Sequence, residues 1–157
     1  MCIMSRYAEN TQVASDRSRA EIERTLRRYG ATAFAYGWEG QNAQVMFHLE
    51  NRRILFKLPL PDPAADEFRL TPSRKWEREP KQQEEAYEQA VRQRWRALAL
   101  VIKAKLEAVE AGISTVEDEF LAHIALPGGG TVGDWLGPKL DEIYQGAELP
   151  ALMPGSG

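Results

Sequence analysis

Residues 81–111 read as one long helix, and no other stretch constrains the fold of this chain as strongly. At 100° per residue from Tyr87, the side chains of Tyr87, Val91, Leu98, Ile102 and Val109 fall within an arc of about 60°. Trp95 and Leu106 widen that arc on one side and Val101 on the other, and Gly112 supplies the left-handed residue that stops the helix. Arg94 and Lys105 map to the middle of the apolar stripe. A cation facing a core is costly unless it is paired or led out to water. Three arrangements meet that cost. Each head group can snorkel past the stripe on its apolar stem. Each can pair with a carboxylate from another element, such as Glu21, Glu50 or the Glu117-Asp118-Glu119 cluster. Or the two can line a cleft that receives a phosphate, a nucleotide or a nucleic-acid backbone. Arg92, Arg96 and Lys103 fall opposite, on an ordinary solvated face.

A sheet precedes the helix. Phe34, Tyr36 and Trp38 alternate with small residues, and Glu39-Gly40-Gln41-Asn42 makes a turn. Val45, Phe47 and Leu49 then alternate with Met46, His48 and Glu50. A turn at Asn51-Arg52-Arg53 leads to Ile54, Phe56 and Leu58, with Leu55 and Lys57 on the other face. The pattern predicts a three-stranded antiparallel meander whose aromatic face packs on the helices. An exposed platform that stacks bases is the alternative use of those aromatics. Pro59-Leu60-Pro61-Asp62-Pro63 ends the sheet and opens a Pro-rich connection over 59–80. Within it, Trp76 among Arg74, Lys75 and Arg78 is expected to pin the loop to the body, with a nucleic-acid contact as the alternative.

The flanks add shorter helices. Ser5–Ala14 reads as extended or irregular, and a capping box at Ser18-Arg19-Ala20-Glu21, or a cap at Ser15, opens a short basic helix that Gly30 stops. Ile22, Leu26 and Tyr29 form its apolar side, and Arg17, Arg19, Arg24, Arg27 and Arg28 occupy the rest. After Gly112, Ser114 or Thr115 caps a helix with Val116, Phe120, Leu121 and Ile124 on its apolar side. Pro127 and Gly128–Gly130 break it, and a last helix opened by Thr131-Val132-Gly133-Asp134 is expected to bury Trp135, Leu136, Leu140, Ile143 and Tyr144. The predicted class is α+β: a short N-terminal helix, the meander, then a long helix and two shorter ones packed on the sheet. Residues 1–157 are read as one domain, with 1–14 and 146–157 loosely ordered.

Charge is divided unevenly along the chain. Residues 1–105 carry 19 Lys and Arg against 14 Asp and Glu; residues 106–157 carry Lys139 alone against nine acids. A basic body with an acidic tail suits an anionic partner, or mutual neutralisation within one chain or between subunits of a homo-oligomer. The longest apolar run, Ala97–Ile102, is far short of a membrane span, and Met1–Tyr7 carries no secretory signal. The single Cys2 forms no internal disulfide. These readings predict a cytoplasmic protein.

The search for chemistry assigns no catalytic residue, no metal and no cofactor. His48, His123 and Cys2 are too few for the usual structural zinc sets, and each histidine reads as structural. Gly128-Gly129-Gly130 lacks the Lys-Ser/Thr of a phosphate loop and reads as a turn. A metal-dependent nuclease or hydrolase would draw on Glu50, Glu39 and Lys57, but no acid stands two residues before Lys57. The candidate anion-binding residues are Arg94, Lys105, Lys57, Arg24, Arg27 and Arg28. Their expected role is non-enzymatic binding of nucleic acid or nucleotide. The alternatives are a protein–protein interaction or inhibitor protein, and the nuclease.

Three stretches resemble a group of proteins encoded in bacteriophages and prophages, a group with no established activity: Ser5–Thr11, Arg92–Glu107 and Leu126–Leu136. The resemblance follows the same order along nearly the whole chain, and Arg92–Glu107 is its most specific part. Where members of the group have a polar turn after Leu126-Pro127, this chain has three glycines. The resemblance implies an accessory protein working inside a bacterium, where small proteins of this kind bind nucleic acid, nucleotide signals or components of host defence, including anti-defence roles. It transfers no catalytic residue.

Overall fold

The computed structural model describes the backbone of residues 3–146 and the side chains of residues 15–146. Helix α1 (Ile3–Arg28) is followed by strands β1 (Ala33–Glu39), β2 (Asn42–Leu49) and β3 (Arg52–Pro59), then α2 (Asp66–Arg69) and α3 (Pro80–Glu110). Helix α4 (Val116–Phe120), a 3₁₀ turn over Leu121–His123 and α5 (Val132–Gly146) complete the order. The chain is therefore α+β, as its pattern predicts. Residues 147–157, expected to be loosely ordered, lie outside the described residues.

The strands form an antiparallel sheet in the order β1-β2-β3, with Phe34 opposite Phe47 and Phe47 opposite Ile54. That register puts Tyr36, Val45, Phe47, Ile54 and Phe56 on one face, as period-two alternation requires. The face is covered: Trp95 of α3 packs 5.3 Å from Tyr36, and Phe120 of α4 meets Phe47 edge-on at 5.8 Å. The aromatics are thus core rather than an open stacking platform, save Trp38 at the strand end. The β2–β3 turn falls one residue earlier than expected. Glu50 and Asn51 both take positive φ, 46° and 61°, the conformation whose twist matches a tight hairpin.

Helix α1 begins at Ile3, so Ser5–Ala14 is helical rather than irregular and Ser18 lies inside the helix. Helical propagation adds one hydrogen bond per residue once a segment is anchored, and Ile22 and Leu26, both 1% exposed, anchor this one. Gly30 stops α1 at φ 91°, with Ala31 N–H donating to Leu26 C=O at 2.9 Å. Helix α3 starts with Pro80 in its first turn and a capping box between Glu79 and Gln82, and it buries Tyr87, Val91, Trp95, Leu98, Ala99, Ile102 and Leu106. Short α2 adds Phe68, edge-on to Tyr87 at 5.5 Å, so the Pro-rich connection contributes to the core.

The C-terminal helices depart furthest from expectation. Thr115 does cap α4, accepting from Asp118 N–H at 3.1 Å, and Val116 and Phe120 are buried. Leu121 is 44% exposed, because the chain tightens into a 3₁₀ turn and Ile124 bridges to Ile54 at the β3 edge. Helix α5 buries no residue at all: Trp135, Leu140, Ile143 and Tyr144 are exposed by 44–67%. Its N-terminal turn is fixed to the body. Thr131 and Asp134 cap each other reciprocally, Lys57 reaches Asp134 at 3.2 Å, and a Cβ on Gly133 would lie 2.9 Å from Ala122 O. Beyond that turn every residue from Pro138 to Gly146 is exposed.

Candidate functional site

The six candidate cations do not converge. Val101 is 45% exposed while Ala99 and Leu106 are buried, so the true stripe of α3 is shifted away from Arg94 and Lys105. Both sit at its margin rather than its middle. Arg94 is exposed and donates to the Pro59 carbonyl at 2.6 Å, which is the snorkelling arrangement. Lys105 is half-buried and donates to the Glu119 carbonyl at 2.8 Å, with the Glu119 carboxylate at 3.5 Å. That is pairing with the predicted acidic cluster. The two cations are about 16 Å apart along the axis, so they share no cleft. Lys57 pairs with Asp134, and Arg27 with Glu23 at 2.6 Å.

Arg24 and Arg28 remain, and they have company. With Arg17 they fall within about 40° of one another on the exposed face of α1, and among the described residues none of the three forms an ion pair. Spacing alone placed Arg17 on this helix but could not show that Arg19 and Arg27 are occupied, by Asp16 and Glu23, while Arg17 has no ion pair among the described residues.

Arg28 also borders a cleft of about 520 Å³ where the C-terminal ends of α1 and α3 meet the β2–β3 turn. Leu106 and Val109 line its apolar side; Glu50, Glu110 and Tyr29 line its polar side. The Tyr29 phenol is held above its usual pKa, first by desolvation and then by the charges of Glu110 and Glu107. The cleft therefore disfavours an added negative charge on that ring. A second, shallower cleft of about 300 Å³ lies beside Arg94, over Pro61 and Phe68.

The carboxylate reading finds no geometry. Glu39 ends β1 opposite Asn42 at one end of β2, and Glu50 follows the other end, about 25 Å away. Among the described residues no three His, Cys, Asp or Glu side chains are placed to share a metal ion. His48 accepts from Arg53 Nε at 3.3 Å on the open sheet face. His123 stacks on Phe56 with ring centres 4.0 Å apart, and its pKa is lowered first by burial and then by Lys105.

Two apolar features that the sequence pattern predicts to pack on the body are exposed instead. On α5, Val132, Leu136, Leu140 and Ile143 fall within about 80° of arc and become more exposed away from the fixed N-terminal turn, with Tyr144 beside them at 67%. In the connection before α3, Trp76 is 63% exposed and does not pin its loop to the body. Among the described residues no helix is long and apolar enough to cross a membrane. Comparison with protein-family models, with curated proteins and with solved structures returns no match for this chain.

Proposed function

We propose that the chain is a non-enzymatic interaction module that holds a protein partner on α5, an accessory role that fits the phage-encoded setting implied by its sequence resemblance. The observation that carries this reading is the apolar stripe of α5, ending in Leu140, Ile143 and Tyr144 with nothing of the described chain over it. Contiguous exposed apolar surface marks interaction sites, and an amphipathic helix laid in a partner's groove is a common way to use it. Residues 106–157 are strongly acidic, so the complementary groove is apolar with a basic rim. The test is affinity purification from the native bacterial host, run in parallel with Leu140→Asp/Ile143→Asp. The partner is expected to be lost with that variant and retained with Arg17→Gln/Arg24→Gln/Arg28→Gln. A partner indifferent to the α5 variant overturns the reading. Concentration-dependent dimers abolished by that variant would make the occupant a second copy of the chain.

A second reading, an anionic partner such as nucleic acid or nucleotide on α1, is favoured by one observation: Arg17, Arg24 and Arg28 share a face without ion pairs. Affinity carried by that face falls steeply with salt, and the triple Gln variant flattens the slope.

A further inference from the structure

The connection before α3 contains a small ordered hairpin with an unusual tip. Leu70 bridges Glu77, Thr71 N–H donates to Trp76 C=O at 2.8 Å, and Trp76 N–H returns to Thr71 Oγ1 at 3.0 Å. Lys75 N–H closes the turn on Thr71 C=O at 3.1 Å, and Lys75 takes a φ of 56°, the left-handed conformation that a side-chain-bearing residue seldom adopts. The base of the hairpin is tied down. Arg78 N–H donates to Arg69 C=O at 2.8 Å, its guanidinium reaches the Glu67 and Phe68 carbonyls, and Phe68 is buried.

What this scaffold presents is not explained by packing. The Arg74 guanidinium lies 5.0 Å from the centre of the Trp76 ring, the ring is 63% exposed, and among the described residues neither Arg74 nor Lys75 has an acidic partner. An indole with a guanidinium over it and a free ammonium beside it offers a stacking surface and two positive charges within one turn.

We propose that the 70–77 hairpin is a contact site for single-stranded nucleic acid: Trp76 stacks on an unpaired base, and Arg74 and Lys75 neutralise flanking phosphates. Stacking favours a single strand over a duplex, because paired bases have their faces already occupied. It also favours nucleic acid over an anionic membrane surface, since the small ring of Pro72 is the tip's only other apolar side chain and no amphipathic helix backs it. The site is separate from α5 and from the α1 arginine face, and it stands or falls without either.

The probe is a fluorescein-labelled oligothymidylate of about 12 nucleotides, titrated against the full chain by anisotropy at several salt concentrations. Trp76→Ala, on an exposed loop, is expected to keep the native thermal melt and to weaken binding about tenfold with an unchanged salt slope. Arg74→Gln/Lys75→Gln is expected to reduce the slope of log K against log salt by about 1.4, two phosphates' worth for a single strand. Arg17→Gln/Arg24→Gln/Arg28→Gln is the control for the α1 face and is expected to leave the tenfold Trp76 effect intact. No binding of the oligonucleotide, or equal binding by Trp76→Ala, overturns the proposal. So does binding of anionic vesicles that depends on Trp76 when the oligonucleotide does not bind.

Discussion

Helices α3 and α5 are both amphipathic, yet α3 buries seven side chains and α5 buries none. Helix α3 lies on the sheet with α1 alongside, and its stripe meets Tyr36, Phe68 and the α1 residues Ile22 and Leu26 within one apolar cluster. Helix α5 is tied to the 3₁₀ turn and to β3 through its first residues, and every residue from Pro138 to Gly146 is exposed. The two also differ in what supports them locally. After Pro80 at its start, α3 contains no Gly or Pro, whereas α5 carries Gly137-Pro138 at its centre, two residues that each disfavour a helix interior. An apolar stripe thus states that a helix face is better covered; it does not state that the same chain covers it.

Truncation should separate the two helices most sharply. Trp95→Ala in α3 is expected to cost about 3–5 kcal/mol in denaturant unfolding, because it empties a fully buried site. Ile143→Ala in α5 is expected to change the isolated chain by less than about 0.5 kcal/mol. Equal losses would mean that α5 is packed against the body in solution.

Hydrogen exchange tests the same contrast without mutation. The amides of α5 beyond Pro138 are expected to exchange through local opening, orders of magnitude faster than those around Trp95 and Ile102. Pro138→Ala should slow that exchange while leaving the global melt unmoved. A global shift would show that α5 unfolds with the core.

Lys105 probes the margin of the α3 stripe. Lys105→Met keeps the stem and removes the bonds to Glu119; with both partners about a quarter exposed, the expected loss is about 1 kcal/mol or less. A much larger loss would place the ammonium in the core after all.

The smallest effect concerns pH. His123 is lowered by burial and by Lys105, so the unfolded chain binds its proton more readily than the folded one. Stability is expected to fall as pH drops below the ordinary histidine value of 6.5 toward the lower folded value, and His123→Gln should remove that part of the dependence. Asp134 acts in the acid range: held low by the Thr131 N–H and then by Lys57, it contributes above the ordinary carboxylate value and loses that contribution as pH falls through its depressed one. A chain whose melt is flat from neutral to mildly acid pH would contradict the partly buried placement of His123 against Phe56 and near Lys105.

Much of the fold was legible in the residues. Period-two alternation located the three strands and their buried face, Gly30 and Gly112 marked two helix ends that both take positive φ, and of the two caps the residues offered, Ser114 and Thr115, the helix uses Thr115. The candidate site was far less legible. Helical position and residue type single out six cations, but four of them already have partners within the chain. Arg27 pairs with Glu23 one turn away, while Lys57 with Asp134, Lys105 with Glu119 and Arg94 with the Pro59 carbonyl depend on neighbours distant in sequence. Trp135 is expected in the core and Trp76 against the body because an indole has much apolar surface to cover, and no local pattern shows that the body leaves both exposed.

By itself, then, the sequence determined the three strands, the long helix and the apolar face of each, since those follow from backbone periodicity and from Gly, Pro and capping residues close by; the first half of α1 and the short α2 carry no such local mark. Only the tertiary structure decided which apolar faces are covered and which charges are spent. Cover and pairing are contacts between segments far apart in the chain, so the position of Arg94, Lys105 and the α5 stripe had to be read from the packed molecule.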